Sequence, residues 1–460
     1  MNFDESVKYL YGLGNEVLAM KLGLENIGKL LSALNDPQTN YLKVQIAGTN
    51  GKGSTCAFLE AICLKAGIKV GMTTSPHLIS VTERIRINGK EMSEEDFARY
   101  ATRIRETSEQ LIENYKAASN PKSPIRNPQS PIPNPQSKIS LETVPTFFEQ
   151  VTAIALLAFS EARIELAILE TGLGGRFDAT TAAKAEIVAI TPVDYDHQRI
   201  LGETLTLIAA EKSAIIRPDT KAVIATQNSE AEKVILESCR EAGVQPILVS
   251  EDFKIKNQFF KNNKPQVFYN FSTDNDNYHD IVLGLDGKHQ ITNALVAVGL
   301  AETLRHFDFR IEKEAIWQGL ANARHPGRLE YYKNFLFDGA HNISGAKALR
   351  EYLDEFMRMP ITMIFGAMCD KNLSDIAATL FPKAAQLILT KPDNPRSMET
   401  SQLRQFVPDD FSSEVFEAET VAAALEKARE IAPENQLILV TGSLYLVGEV
   451  QKILKNEFEI

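Results

Sequence analysis

Lys52 and Ser54 sit in the run Gly48-Thr49-Asn50-Gly51-Lys52-Gly53-Ser54, and those residue types at that spacing suit phosphate chemistry. Small residues let backbone N–H groups approach an anion, a helix N-terminus adds partial positive charge, and the lysine adds a full one. The hydroxyl of Ser54 is placed for a phosphate-bound Mg²⁺. The run departs from the strict P-loop pattern at two positions. Ile46 stands where Gly is usual, and Gly53 stands where Ser or Thr would follow the lysine directly. An ordinary glycine-rich strand-to-helix turn is the alternative reading.

Two more groups point the same way. Glu170 ends the apolar run Leu166–Leu169 and is followed by Thr171-Gly172-Leu173-Gly174-Gly175, so its carboxylate can reach a cation without side-chain crowding. His197 follows a second apolar run, Ile187–Thr191, through Pro192–Asp196. Mg²⁺ prefers hard oxygen ligands, so this pair suits it only alongside phosphate and other oxygens. A histidine that caps a helix over Ile200–Ile208 is the alternative. Lys212, on chemistry alone, reads as a helix-surface lysine.

These groups need a frame. Leu42–Ile46 reads as a buried strand, and the helix after the glycine loop carries Phe58, Leu59, Ile62 and Cys63 on one face. Lys69–Thr73 reads as a second strand running into the loop Thr74–Leu78, and Glu83–Gly89 as a short strand and turn. Phe3–Leu34 reads as helical with a break near Gly12–Gly14. Lys52, Ser54, Glu170 and His197 all follow strands in a repeating strand–helix pattern. In a parallel α/β sheet such loops gather at one edge, where ligands bind. Ala222–Thr226 and Gln245–Val249 read as further strands separated by a helix over Ser229–Ala242, and Lys254–Asp280 as hairpins. After a linker at His325–Arg328, strands at Leu329–Phe337, Thr362–Phe365, Leu387–Thr390 and Leu437–Thr441 alternate with helices at Leu373–Leu380 and Thr420–Ile431, which predicts a second α/β domain. The expected division is 1–324 and 325–460.

The 460 residues allow two or three domains. The balance of 49 basic and 60 acidic residues, net −11, speaks against non-specific binding to nucleic acid or membranes. Cys56, Cys63, Cys239 and Cys369 form no CxxC pair and no metal spacing; they read as reduced thiols of a cytoplasmic protein. No secretory signal or membrane-spanning run is visible. Asn120–Lys138 is rich in proline and repeats Asn-Pro-Gln-Ser, which leaves few amides for a helix or ladder. It reads as a disordered or polyproline-like insertion, either a surface-loop expansion or a peptide-docking tract.

Taken together, GTNGKGS, TSPHL, ETGLGGRFDATT, Asp196-His197, LGETLTLIAAEKSAII, HQITNA, PGRLE and DGAHN resemble the Mur ligase superfamily and, within it, the folylpolyglutamate and dihydrofolate synthases. The resemblance covers essentially the whole chain except Asn120–Lys138. It implies an α/β protein with a P-loop-containing, Mur-ligase-like central domain and a second, smaller, Rossmann-like C-terminal domain. It implies an ATP-dependent amide ligase that adds L-glutamate to dihydropteroate or to folates through an acyl phosphate, acting as a monomer.

The site residues implied by the resemblance are these. Asn50, Gly51, Lys52, Gly53, Ser54, Asn293, Arg328 and Asp338 would bind ATP. Ser54, Ser75, Glu170, His197 and Lys212 would hold Mg²⁺ at two sites, Lys212 as its carbamate. Lys52, Lys212, Arg328 and His341 would serve catalysis. Leu22, Gly23, Leu24, Thr146, Phe147, Phe148, Phe177, Asp178 and Ala179 would form the pterin pocket. A carboxylate such as Asp178 can accept two hydrogen bonds from an aminopyrimidine edge. Read without the family, Asn293 is a helix cap and the aromatics Phe147 and Phe148 are core. A Mur-type peptidoglycan-precursor ligase, a P-loop NTPase switch that binds a partner and a non-catalytic nucleotide-binding module remain as alternatives. GGRFDATT and the Thr-x-Phe-Glu stretch lean towards the folate branch.

Overall fold

The computed structural model describes residues 1–14, 23–118, 145–249, 253–261, 264–433 and 436–458. Leu22 and the whole proline-rich insertion lie outside the described residues.

Among the described residues the strands form three sheets. The largest is built from β1 (Leu42–Ala47), β2 (Val70–Thr73), β3 (Ile85–Ile87), β4 (Lys90–Glu91), β5 (Leu166–Glu170), β6 (Ile187–Ile190), β7 (Lys221–Ile224) and β8 (Ile247–Leu248). Its order is β4-β3-β2-β5-β1-β6-β7-β8. The run from β2 to β8 is parallel, and the β3–β4 hairpin adds an antiparallel edge. The central strands are buried on both faces, which is why they read as unbroken apolar runs rather than alternating ones. In β5, Leu166 and Ile168 join a core that holds Phe58 and Ile62 of the helix Lys52–Lys65 together with the helix His289–Leu304. Ala167 and Leu169 point the other way, to Val151, Ile154 and Ala158 of the helix Phe147–Glu161. Successive side chains on a strand alternate faces, so one short strand fastens helices to both sides.

The expected hairpins are β9 (Phe253–Lys261), β10 (Lys264–Ser272) and β11 (Asn277–Val282), an antiparallel sheet of order β11-β10-β9. The third sheet contains β12 (Glu330–Tyr332), β13 (Phe335–Phe337), β14 (Ile361–Phe365), β15 (Ala384–Thr390), β16 (Glu414–Ala418) and β17 (Leu437–Thr441). Its order is β12-β13-β17-β14-β15-β16, parallel apart from the β12–β13 hairpin.

Two expectations change. The helix expected over Ile200–Ile208 is two helices, Gln198–Leu201 and Leu205–Ser213. Gly202 breaks it at φ 109°, and a Cβ there would lie 2.6 Å from Leu207. Thr204 then caps the second helix by accepting from the Leu207 amide. The strand expected at Gln245–Val249 shrinks to Ile247–Leu248, a sheet edge whose two side chains are exposed.

The helix Lys313–Asn322 crosses the helix Lys52–Lys65 at a point of backbone contact. A Cβ on Gly319 would lie 2.4 Å from the Ile62 Cα. Gly319→Leu is therefore expected to destabilise the protein by about 1–3 kcal/mol. Thermal and urea unfolding measure this, and an unchanged midpoint would mean that the two helices have room to separate.

Candidate active site

The strands β2, β5, β1 and β6 are neighbours, and the carboxyl end of each carries one element of the site. From β1 the chain enters the glycine loop. Gly48 has φ 150° and Gly51 φ 87°; a Cβ would lie 1.9 Å from Thr191 Oγ1 at the first and 2.0 Å from Asn293 Oδ1 at the second. Only glycine fits either position. Lys52 Nζ donates to the carbonyls of Gly48 (3.2 Å) and Thr49 (3.0 Å), and the Ser54 side chain is buried.

Glu170 is the last residue of β5 and pairs in register with Ile46. Its Oε2 accepts from the amide of Ser75, 2.9 Å away in the loop after β2. Burial pushes this carboxyl up, and Lys52 is the first of the charges that oppose the shift. His197, after β6, has φ 50° and makes no side-chain cap bond, so the capping reading fails. Burial pushes its ring down to about 4, which leaves a neutral imidazole with a lone pair to offer at neutral pH.

Lys212 is not a surface lysine. It is 4% exposed and its Nζ donates to the Gly48 carbonyl at 2.7 Å. Burial, then Lys52, pushes its ammonium down to about 7.

The third sheet supplies the opposite wall. Buried Asp338, after β13, accepts from the amides of Leu329 and Ala340, each at 3.0 Å. Burial raises its carboxyl against the pull of Arg328. His341 Nδ1 faces the Gly339 carbonyl at 2.8 Å, which makes Nδ1 the N–H and turns Nε2 towards the cleft. Burial, then Lys371, pushes this ring down to about 4.

Two clefts meet here. One, of about 190 Å³, is lined by Asn50, Lys52, Ser54, Asn293, Arg328 and Asp338 together with Glu170 and Lys212. The other, of about 200 Å³, is lined by Gly23, Thr146, Phe148, Phe177, Asp178 and Ala179. Ser75, Leu173, His197 and His341 belong to both. Asn293 is held by Gln290, which accepts from its Nδ2 at 2.9 Å.

The structure moves some of the expected pterin residues elsewhere. Phe147 faces the core, 1% exposed and stacked on Tyr11 with ring centres 5.2 Å apart. Neighbours on a helix diverge by about 100°, so Phe148 can line the cleft only if Phe147 does not. Leu24 packs against the N-terminal core at the start of the helix Glu25–Ala33, and Gly23 lines the cleft instead. Thr146 caps its own helix in a reciprocal pair with Glu149. Asp178 is occupied within its loop: Oδ2 accepts from the Leu173 amide (2.9 Å), and Oδ1 from the Thr180 amide (3.0 Å) and hydroxyl (2.5 Å). Burial raises its carboxyl.

Several site residues escape the sequence reading. Lys371, Arg396 and Tyr445 line the second cleft from the C-terminal side. Lys371 follows β14, and the rule that polar groups after strands gather at one edge would have found it. His325, read only as linker, lies over the glycine loop; a Cβ on Gly53 would be 2.6 Å from its Nε2. That contact accounts for the glycine in place of the usual Ser or Thr.

Residues 129–301 match the Mur ligase middle domain, and residues 327–444 match the glutamate ligase domain of Mur ligases. The dihydrofolate synthase/folylpolyglutamate synthase of Bacillus subtilis is 31% identical over 448 residues, which are 96% of this chain and 97% of that protein. The chain belongs to the dihydrofolate synthase/folylpolyglutamate synthase family of Mur ligases. A probable bifunctional folylpolyglutamate synthase/dihydropteroate synthase of Haloferax volcanii is 33% identical over 98% of this chain, which spans half of that longer relative. Among solved structures, the folylpolyglutamate synthase of Mycobacterium tuberculosis complexed with ADP superposes with a TM-score of 0.83 at 28% identity, covering 98% of this chain and 99% of that one. E. coli FolC in complex with DHPP and ADP gives 0.79 at 26% identity, covering 99% and 98%. Among the described residues no helix is long and apolar enough to cross a membrane.

The depressed Lys212 ammonium has a testable sign. Its unfolded value is about 10.4, and its folded value is about 7. Folding therefore carries a penalty that is complete below pH 7 and vanishes as pH rises towards the unfolded value. In the nucleotide-free protein, Lys212→Met is expected to raise stability by a few kcal/mol at about pH 6 and by progressively less towards about pH 10. Urea unfolding across that range checks it; a pH-independent difference would place a charged lysine there.

Proposed function

We propose that the protein is an ATP-dependent ligase that joins L-glutamate to dihydropteroate, or to the glutamate tail of a folate, through an acyl phosphate. The observation that carries this reading is the shared wall. A phosphate loop with Lys52 and an aromatic pocket with Phe148 and Phe177 open onto a shared wall that includes Ser75, Leu173, His197 and His341, so a bound carboxylate and a nucleotide γ-phosphate meet there. The ADP and DHPP complexes of related structures support it.

The substrate carboxylate oxygen attacks the γ-phosphorus and ADP leaves. The glutamate amine then attacks the acyl carbon, the amide forms and inorganic phosphate departs. Lys52 and Arg328 stabilise charge on the transferred group. Asn50, Gly51, Gly53, Asn293 and Asp338 hold the nucleotide, and His341 stands at the γ-phosphate. Asp178 and its loop hold the pterin together with Thr146, Phe148, Phe177 and Ala179. The chain is taken as two units, 1–324 and 325–460, hinged at His325–Arg328.

The donor set fits Mg²⁺ arriving with nucleotide. Among the described residues no group of three or more His, Cys, Asp or Glu is arranged to hold a metal alone, and Mg²⁺ normally keeps phosphate and water oxygens beside one or two carboxylates. Ser54, Ser75, Glu170 and His197 would hold it, and it supplies charge neutralisation at the phosphates. With its ammonium lowered to about 7, Lys212 carries a substantial neutral fraction at pH 7, so its amine can add to CO₂ with loss of a proton and would then serve as a second, anionic ligand. That would replace a buried cation with a group that Lys52 attracts.

Phosphate release with ATP, Mg²⁺ and glutamate is expected to rise on adding dihydropteroate or tetrahydrofolate. No rise with either would overturn the folate assignment, and cell-wall precursors would be tried next. Arg328→Ala is expected to lower kcat by about 10²–10³-fold. A ¹³C-carbamate resonance from labelled bicarbonate, absent in Lys212→Met, tests the modification.

A further inference from the structure

Asp196 follows β6 in the large sheet, and its carboxylate is met by side chains from the third sheet. Lys371 Nζ lies 2.7 Å from its Oδ1, with both side chains 11% exposed. His341 Nε2 lies 3.8 Å from its Oδ2. Asn342 Nδ2 donates to Oδ2 at 3.3 Å and to Asn50 Oδ1 of the glycine loop at 3.0 Å. These partners sit on two loops, one after β13 and one after β14, the two strands that flank β17.

Asp196 is itself fixed to the phosphate loop. Its Oδ1 accepts from the His197 amide at 2.8 Å. Two residues earlier, the Asp194 carbonyl accepts from the Thr49 hydroxyl at 2.9 Å, and the Asp194 amide donates back to that oxygen at 3.0 Å. A force applied at Asp196 therefore reaches the glycine loop within a few bonds.

We propose that Asp196 is a positioning residue that latches the C-terminal loops onto the phosphate-loop edge through Lys371, His341 and Asn342, setting the closed arrangement in which ligation occurs. The pair is nearly dry. Loss of either partner leaves a buried charge uncompensated, which costs far more than loss of an exposed pair. The latch brings His341 and Lys371 to the rim where the two clefts join. It takes no part in the contacts of Lys52 with the Gly48 and Thr49 carbonyls, so its loss strikes the chemical step more than ATP binding.

The kinetic half of the test rests on the ligase reading; the distance half does not. Asp196→Asn and Lys371→Met are each expected to lower kcat, by up to about 100-fold, with KM for ATP changed less than about threefold. The double variant should lose no more than the worse single one, because both remove the same contact. Asp196→Glu should recover part of the loss. In parallel, spin labels at exposed Lys233→Cys and Glu426→Cys, with exposed Cys369 replaced by serine, report the separation of the two sheets in the presence of a non-hydrolysable ATP analogue. A single narrow distance in the otherwise native chain and a broadened one in either latch variant are expected. Should Asp196→Asn fail to fold, Lys371→Met carries the same comparison. Multiplying losses in the double variant, or unchanged distances in both latch variants, would overturn the proposal. A chain that ligates nothing would fail the functional reading while leaving the distance result to decide the latch.

Discussion

Two ammonium groups, Lys52 and Lys212, donate to one carbonyl, that of Gly48. No arrangement of a protein interior tolerates that without answering charge. Much of the site can be understood as the answer. Glu170 ends β5 beside the loop, Asp196 ends the next segment round, and the remaining demand is for phosphate. Burial first, and then the charge of Lys52, lowers the Lys212 ammonium. A nucleotide is thus drawn in by an imbalance that folding leaves in place.

The sheet makes this possible. Four adjacent parallel strands end at one edge, so groups far apart in sequence arrive together without long excursions of chain. Gln45 illustrates how the edge is tied. From the middle of β1 its Nε2 donates to Thr180 (3.0 Å) and Thr181 (2.7 Å), fastening the loop of Asp178 to the strand that feeds the phosphate loop. The two clefts are held in register by a buried amide rather than by surface contacts.

Much of this was legible in the sequence, because the apolar runs are short, unbroken and followed each time by polar groups. Lys52, Glu170 and His197 were found by that rule. Lys212 was not: it lies on a helix, and nothing in its local pattern says that the helix is aimed at the glycine loop. Phe147 and Phe148 could not be told apart, since only the helix rotation decides which enters the core. The split at Gly202 was legible in part, since Gly202 is followed by Glu203 and by Thr204, which caps the second helix. Lys371 follows β14 and fits the same rule, but its role depends on a partner 175 positions away, a relation that periodicity does not carry.

His325 and Gly53 have a last implication. The linker histidine fills the space that a side chain at residue 53 would need. A mutation that restored the usual hydroxyl after Lys52 would collide with the His325 ring, and one that shrank residue 325 would open a void above the loop. Residues 53 and 325 therefore constrain each other: a larger side chain at one requires a smaller one at the other.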